Sequence, residues 1–358
     1  MALRKIKRTS HNSDDVKRLQ QQNLRTCKDV LNRSTLELFK IVGKSQSSVE
    51  ALIRNVSLLC APKPCTAAQL LEKRKLKTST RPFFATSLPD LDKVLHGGIL
   101  IGSITELAGP AGCGKTQFCM MLSLLSTLPT EMRGMAGSVI YIDTESTFSA
   151  SRLVEMARNK YPDYFNDEDR LKNLTENVLV DFHSTCDSLV NRFQELEMDI
   201  ISKKVKLLIV DSIASLVRKE FGGHLEYNMA ERANFLTKTA ALLKNISESF
   251  QIPVVVTNQI TTRLATTSRD FQTCNAGNAY ATVALGNTWS HSVNTRLIIE
   301  YVDSVLRQVM VAKSPIAPFT SFYYTIQSAG IVQEKDSAYH YYGTDPTVQR
   351  IRVRTDVF

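Results

Sequence analysis

Between residues 138 and 259 the chain carries short runs that are apolar almost throughout: SVIYID (138–143), NVLVDF (177–182), KLLIVD (206–211) and PVVVTNQ (253–259). Strict alternation of apolar and polar residues marks a strand with one wet face, whereas continuous runs mark strands buried on both faces. The stretches between them, such as 151–160, 186–202 and 229–249, carry helical patterns. Strand and helix in alternation predict an α/β core, a mostly parallel twisted sheet with helices on both faces. Farther along, TRLIIEY (295–301), RQVMVAKS (307–314) and SFYYTIQ (321–327) lie close together, which predicts an antiparallel extension of that sheet. The last thirty residues are polar and weakly patterned, and no internal repeat is apparent.

Residues 1–60 read differently. SDDVKRLQQQ, TCKDVLN, STLELFKIVGK and SQSSVEALIRNVSLLC each begin near a Ser, Thr or Asp able to cap a short helix, so a small all-α unit is predicted. VGKSQSS (42–48) puts Gly and Ser between two amphipathic pieces, the arrangement by which a helix-hairpin-helix offers backbone N–H groups to a DNA phosphate. Residues 61–85 combine prolines with a basic cluster and read as a linker. Its KRKLK (73–77) serves either to keep the linker hydrated or as a nuclear-import signal. The expected organisation is therefore a helical domain over 1–60, a linker over 61–85, the α/β core over 86–330 and a tail over 331–358.

Charge separates the two parts. Of 44 Lys and Arg and 35 Asp and Glu, residues 1–85 hold 18 and 6, a balance of +12 that leaves −3 for the remainder. A basic amino-terminal module suggests a polyanion or an acidic partner surface, or simply a solvated basic face. Seven cysteines (27, 60, 65, 113, 119, 186 and 274) without a C-x-x-C pair indicate neither a disulfide framework nor a zinc module. The longest apolar runs are broken within about a dozen residues, short of a membrane span. The first fifteen residues lack the apolar stretch of a secretory signal, so a soluble intracellular protein is expected, with no membrane partner.

The candidate chemistry centres on LAGPAGCGKTQF (107–118). Gly109, four residues, then Gly114, Lys115 and Thr116 is the phosphate-loop pattern G-x-x-x-x-G-K-[ST]. In such a loop backbone N–H groups turn inward around an anion, the lysine reaches the outer phosphates and the Thr116 hydroxyl can ligate Mg²⁺. The loop residues Gly109, Pro110, Ala111, Gly112, Cys113, Gly114, Lys115, Thr116 and Gln117 are thus candidates to bind ATP, with Thr116 and Gln117 opening a helix whose N-terminus adds to the attraction. The context fits, since a short β-prone run precedes the loop and an apolar helical run follows it. Cys113 in the loop and Cys119 on its helix read as reduced packing residues, with oxidation of Cys113 as the alternative.

Parallel strands end on one sheet edge, so carboxylates at other strand ends become candidates for the same site. Asp211, after KLLIV, has the place of the acid that completes the Mg²⁺ shell. Glu145, after YIDT, is the candidate to activate the attacking water, with Asp143 as the alternative base. Gln259, ending VVVTNQ, is placed to sense the γ-phosphate and change a loop conformation after hydrolysis.

LHGGILIGSITELAGPAGCGKTQFC, VIYIDTESTFSASRL, LLIVDSIASLVRKEF, VVVTNQITT, ALGNTWSHSVNTRL and AKSPIAPFTSF follow one another in an order that resembles the RecA-type recombinases, in their eukaryotic Rad51 branch, and in detail its paralogue members. The resemblance covers 86–327, and the first 60 residues resemble that branch's helical domain. It implies a RecA-like ATPase core behind a helix-hairpin-helix-like domain. It further implies a slow DNA-dependent ATPase using ATP and Mg²⁺ that binds single-stranded and branched DNA in the nucleus. The partners it implies are other recombinase paralogues in a hetero-oligomer, paralogue C first, that assists homologous recombination and break repair. A non-catalytic ATP-binding scaffold and a self-sufficient strand-exchange recombinase are the alternatives.

By the same resemblance Arg152 stacks on the adenine. Residues 218–234, with Arg218, match the first DNA loop, and 260–290 the second, where Arg263, Arg269, Phe271 and Tyr280 supply charge for phosphates and rings for bases. Three positions depart from the pattern. CTAA (65–68) has Cys65 where self-assembling members carry an anchoring Phe, which weakens homopolymer formation. Lys313 stands where filament-forming members commonly have an aspartate at the neighbour's ATP, and His224 and Leu225 stand where strand-exchanging members have Arg-Gly.

Overall fold

The computed structural model describes residues 13–61, 64–76, 82–222, 227–263, 280–334 and 340–341. The chain divides into two compact units, Met1–Thr80 and Arg81–Phe358.

The first unit is helical: α1 (Ser13–Gln21), α2 (Cys27–Leu31), α3 (Thr35–Val42), α4 (Gln46–Cys60) and α5 (Ala67–Leu76). Two of its short helices start on capping boxes. Thr26 accepts from the Asp29 N–H while the Asp29 carboxylate accepts from the Thr26 N–H, and Ser34 with Glu37 does the same. Each cap contributes about 1 kcal/mol, which matters for helices too short to hold themselves. Leu19, Cys27, Val30, Leu38, Val49 and Val56 close the core beneath them. Helix α5 lies inside the stretch read as linker. Its signal is Thr66, whose hydroxyl accepts from the Gln69 N–H at 3.2 Å while the Gln69 side chain accepts from the Thr66 N–H at 3.0 Å. That capping box was masked in the sequence by the flanking prolines and basic residues.

The second unit begins with a small antiparallel pair, β1 (Phe83–Phe84) and β2 (Ile99–Leu100), around α6 (Pro89–Val94). There follow β3 (Ile104–Gly109), α7 (Lys115–Thr127), β4 (Ser138–Asp143), α8 (Ala150–Lys160), α9 (Pro162–Phe165), α10 (Glu168–Glu176), β5 (Val178–Phe182), α11 (Cys186–Ser202) and β6 (Val205–Asp211). Then come α12 (Ile213–Phe221), α13 (Tyr227–Phe250), β7 (Val254–Arg263), β8 (Tyr280–Val283) and α14 (Gly286–Ser292). The chain closes with β9 (Thr295–Tyr301), β10 (Arg307–Lys313), β11 (Thr320–Gln327), β12 (Gly330–Gln333) and β13 (His340–Tyr341).

The main sheet has the order β12-β11-β10-β9-β3-β7-β6-β4-β5, with β13 on β11 and β8 on β7. From β9 to β5 neighbours run parallel; β10, β11 and β12 extend the sheet antiparallel. Both faces are covered, as the unbroken apolar runs require. Val139, Tyr141, Leu207 and Ile209 turn to the layer holding α7, α8 and α10, while Ile140, Ile142, Leu208 and Val210 turn to the layer holding α11, α12 and α13. This is the RecA-like core expected, preceded by a helical unit.

Two expectations change. NVLVDF was expected buried, but β5 is the end strand of the sheet and Phe182 is 64% exposed. The tail expected from 331 is in part sheet: β12 pairs with β11 and buries Ile331 in the core. Among the described residues no helix is long and apolar enough to cross a membrane.

Candidate nucleotide-binding site

Parallel pairing sets the strand ends side by side. Gly109 at the end of β3 is in register with Gln259 on β7, and Asp143 at the end of β4 with Asp211 at the end of β6. The loop 109–114 leaves the sheet here and turns into α7.

Two glycines show what the loop needs. A Cβ on Gly109 would stand 2.5 Å from the Ile299 carbonyl oxygen, and Gly114, at φ +101°, would drive one to 2.6 Å from Ile326. β9 and the antiparallel extension therefore back the loop, and the Tyr324 hydroxyl, donating to the Cys113 carbonyl at 2.8 Å, pins it from the same side. Gly114 is the N-cap of the thirteen-residue helix α7 and has no side chain with which to satisfy the first-turn N–H groups. A cradle shaped to exclude Cβ atoms, at an uncapped helix N-terminus, suits a phosphate group.

Lys115 and Thr116 begin that helix. The Lys115 ammonium donates to the carbonyls of Gly109 and Pro110 at 2.9 and 2.8 Å. Burial holds its pKa below the ordinary lysine value, and the carboxylates of Asp211 and Glu145 act in the opposite direction. Thr116 donates to Asp211 Oδ2 at 2.7 Å, as does the Tyr141 hydroxyl at 2.7 Å, while Thr257 donates to Oδ1. Asp211 is thus fixed by three hydroxyls on α7, β4 and β7. Among the described residues no group of three or more His, Cys, Asp or Glu side chains could hold a metal unaided. A Thr–Asp pair fits Mg²⁺, a cation that keeps most of its shell in water and substrate phosphates.

The two acids at the end of β4 and in the turn after it lie in different environments. Asp143 is buried, and its oxygens accept from the backbone N–H groups of Glu145 at 3.0 Å and Phe148 at 2.8 Å, so it shapes the turn. Glu145 is exposed, and its Oε1 accepts from the Ser212 hydroxyl at 2.7 Å and from Gln259 Nε2 at 2.9 Å. Geometry therefore favours Glu145 over Asp143 as the acid that can meet a water. On the far side of the loop Arg152 Nε donates to the Gln117 side chain at 2.8 Å, and its terminal nitrogens reach Glu155 and the carbonyls of Gln327 and Ser328. Arg152 and Gln117, both candidates for the nucleotide, are brought together at the β11–β12 turn.

Cys113 does not suit an oxidation switch. It is fully buried, and burial pushes its thiol up to about 11. Cys119 is buried on α7 and its thiol is likewise pushed up by burial.

The candidate DNA residues are only partly placed. Arg218 is exposed in the last turn of α12, the helix that starts beside Asp211. The matched first loop is mostly helix, since α12 runs to Phe221 and α13 begins at Tyr227. In the second, the backbones of Arg263 and Tyr280 pair in the β7–β8 ladder and α14 follows. The side chains of Arg263 and Tyr280, and Arg269, Phe271, His224 and Leu225 altogether, lie outside the described residues. Lys313 donates to the carbonyls of Ser290 at 2.9 Å and Val293 at 2.7 Å, closing the end of α14.

One cluster escaped the sequence reading. Glu106, fully buried in mid-β3, accepts from Asn258 Nδ2 at 2.6 Å, from the Trp289 indole at 2.9 Å and from Arg296 Nε. The signal was present, because a carboxylate inside the apolar run SITELAG must be paired to be buried. Asn258 Oδ1 in turn accepts from the Gln259 N–H at 2.8 Å, so this network braces the middle of β7, which does not end at Gln259 as expected but runs on to Arg263.

A phosphate loop between a parallel sheet and its first helix, with carboxylates at adjacent strand ends and a glutamine on the neighbouring strand, defines a RecA-like P-loop nucleotide-binding core. A family profile described as Rad51 matches residues 83–334, and one described as XRCC3/RpoA-like, helix-hairpin-helix domain, matches residues 6–60. The human protein named DNA repair protein RAD51 homolog 2 is 47% identical over 347 residues, 94% of this chain and 90% of its own. A protein of the same name from Arabidopsis thaliana is 34% identical, covering 93% and 91%. DNA repair protein rhp57 of Schizosaccharomyces pombe is 31% identical, covering 85% and 91%. The chain belongs to the Rad51 family.

Proposed function

We propose that the chain is an ATP-binding, Mg²⁺-requiring and slowly hydrolysing DNA-dependent ATPase that assists homologous recombination and DNA repair in the nucleus. It works as one subunit of a hetero-oligomer of recombinase paralogues, with paralogue C the first neighbour and single-stranded or branched DNA the nucleic-acid ligand. The names of its relatives, which are DNA repair proteins, support the setting.

The observation that carries the reading is the meeting of Lys115, Thr116, Asp211, Glu145 and Gln259 at one sheet edge. The 109–117 backbone and Lys115 hold the phosphates, Thr116 and Asp211 hold Mg²⁺, and Arg152 with Gln117 borders the base. When bound, ATP with Mg²⁺ supplies the transferable phosphoryl group and the charge that draws these residues together. Glu145 orients and deprotonates a water, its carboxylate steadied by the Ser212 hydroxyl. Gln259 joins that carboxylate to strand β7, which leads into the matched second DNA loop. Cys65 lies exposed just before α5, and a thiol in place of an anchoring ring disfavours a homopolymer.

The test is Lys115→Ala. Nucleotide affinity measured by calorimetry should fall beyond detection, and unchanged affinity would remove the assignment.

A further inference from the structure

Ala284, the residue after β8, is held from both sides. Its N–H donates to the Gln259 carbonyl at 2.9 Å, and its own carbonyl accepts from Arg232 Nη2 at 2.7 Å. Arg232 is half-buried on the second turn of α13, and its terminal nitrogens lie so near Gly286, the first residue of α14, that a Cβ there would stand 4.0 Å from each. The residues concerned belong to three separate pieces of chain. Arg232 comes from the helix that follows 223–226, Ala284 from the segment that follows 264–279, and Gln259 from the strand that touches Glu145.

We propose that Arg232 is a positioning residue that ties the start of α13 to the nucleotide site by way of Ala284 and Gln259. The relay is short: Glu145 carboxylate, Gln259 side chain, Gln259 carbonyl, Ala284 N–H, Ala284 carbonyl, Arg232 guanidinium. A displacement of Gln259 moves the Ala284 N–H with it, and a guanidinium hydrogen-bonded to the carbonyl of the same residue transmits the shift to α13. A lysine can keep the charge and one hydrogen bond, but not the planar group that lies along Gly286. The packing of Leu236, Leu285 and Trp289 in one cluster gives α13 and α14 a common floor, so the link acts between elements already in contact. The inference rests on the nucleotide assignment proposed above and adds to it the route by which the two matched DNA segments respond together.

Hydrogen exchange on the full chain tests it, with ATP and Mg²⁺ added or withheld, for the unaltered protein, Arg232→Leu and Arg232→Lys. Nucleotide should slow exchange in 109–118 in all three. In the unaltered protein it should also change exchange in the first three turns of α13 by ~5-fold or more, the lower end of ordinary coupling between sites. Arg232→Leu should lose the α13 response while keeping that of 109–118, and Arg232→Lys should keep part of it, which a purely structural role would not produce. If 109–118 responds but α13 does not in the unaltered protein, or responds equally in Arg232→Leu, the inference is overturned and the nucleotide assignment stands. Should 109–118 itself fail to respond in the unaltered protein, both are overturned. Arg232→Lys decides the case if the leucine variant does not fold.

Discussion

The side-chain amide of Gln259 donates to Glu145 Oε1 at 2.9 Å, joining β7, where its pairing with β3 ends, to the turn after β4 across the intervening strand β6. Ser212, at the start of α12 just past β6, donates to the same oxygen at 2.7 Å. Three adjacent strands thus converge on one carboxylate. Glu145 lies 114 residues from Gln259, so only the sheet order brings them together.

Replacing Gln259 by Leu removes one of these two donors and leaves the phosphate loop untouched. A positioned base contributes on the order of 100-fold or more to proton transfer, and its orientation is part of that contribution. In Gln259→Leu, nucleotide affinity should stay within ~3-fold while DNA-stimulated turnover falls ~10-fold or more. Steady-state phosphate release with and without single-stranded DNA measures both, and undiminished turnover would show that the contact is incidental.

Glu106→Gln tests the buried network in the same strand layer. The substitution keeps the shape and leaves Arg296, whose side chain is 12% exposed, without its counter-charge. Breaking a buried pair from one side costs about 3 to 5 kcal/mol. Urea unfolding should show a lower midpoint at an unchanged slope, which separates lost native stability from an altered denatured state. A midpoint equal to that of the unaltered chain would mean that Asn258 and Trp289 suffice.

What was legible beforehand follows from what each element buries. β4 and β6 are covered on both faces and read as nearly unbroken apolar runs, and the capping boxes at Thr26 and Ser34 are local. β12 was hidden because only Ile331 and its neighbour meet the core, too few to make a pattern. β5 misled because an edge strand still packs one face, so its apolar run looked like its neighbours'. The phosphate loop is contiguous, and its candidate residues stood out from spacing. The hydroxyls of Tyr141 and Thr257 on Asp211, and the Ala284 link, depend on register between strands far apart in the chain.

Thiol chemistry should distinguish Cys65 from Cys113. Cys65 is exposed, whereas Cys113 is buried with its thiol pushed up to about 11. Only the thiolate reacts, and near pH 8 a thiol at that value is ionised to roughly one part in a thousand. Limited alkylation followed by peptide mass analysis should find Cys65 modified and Cys113 spared, with nucleotide making no difference to Cys113. Equal rates would place Cys113 in contact with solvent.

The last prediction concerns Lys115 and pH. Burial holds its pKa below the ordinary 10.5, so in the free protein it begins to lose its proton earlier than a solvated lysine. Phosphate groups favour the charged form, and they remain fully ionised throughout the alkaline range. Binding above the lowered pKa must therefore take up a proton, and affinity falls as pH rises through the window between that value and the higher pKa Lys115 has with phosphate bound. Below the window the lysine is charged in both states and the slope vanishes. Lys115→Arg separates this from a general alkaline loss, because a guanidinium stays protonated throughout. Its affinity should be lower at neutral pH, from the changed shape, yet flat where the unaltered protein's declines. Calorimetry in two buffers of different ionisation enthalpy would register the proton uptake directly, and the same slope in both proteins would assign it to another group.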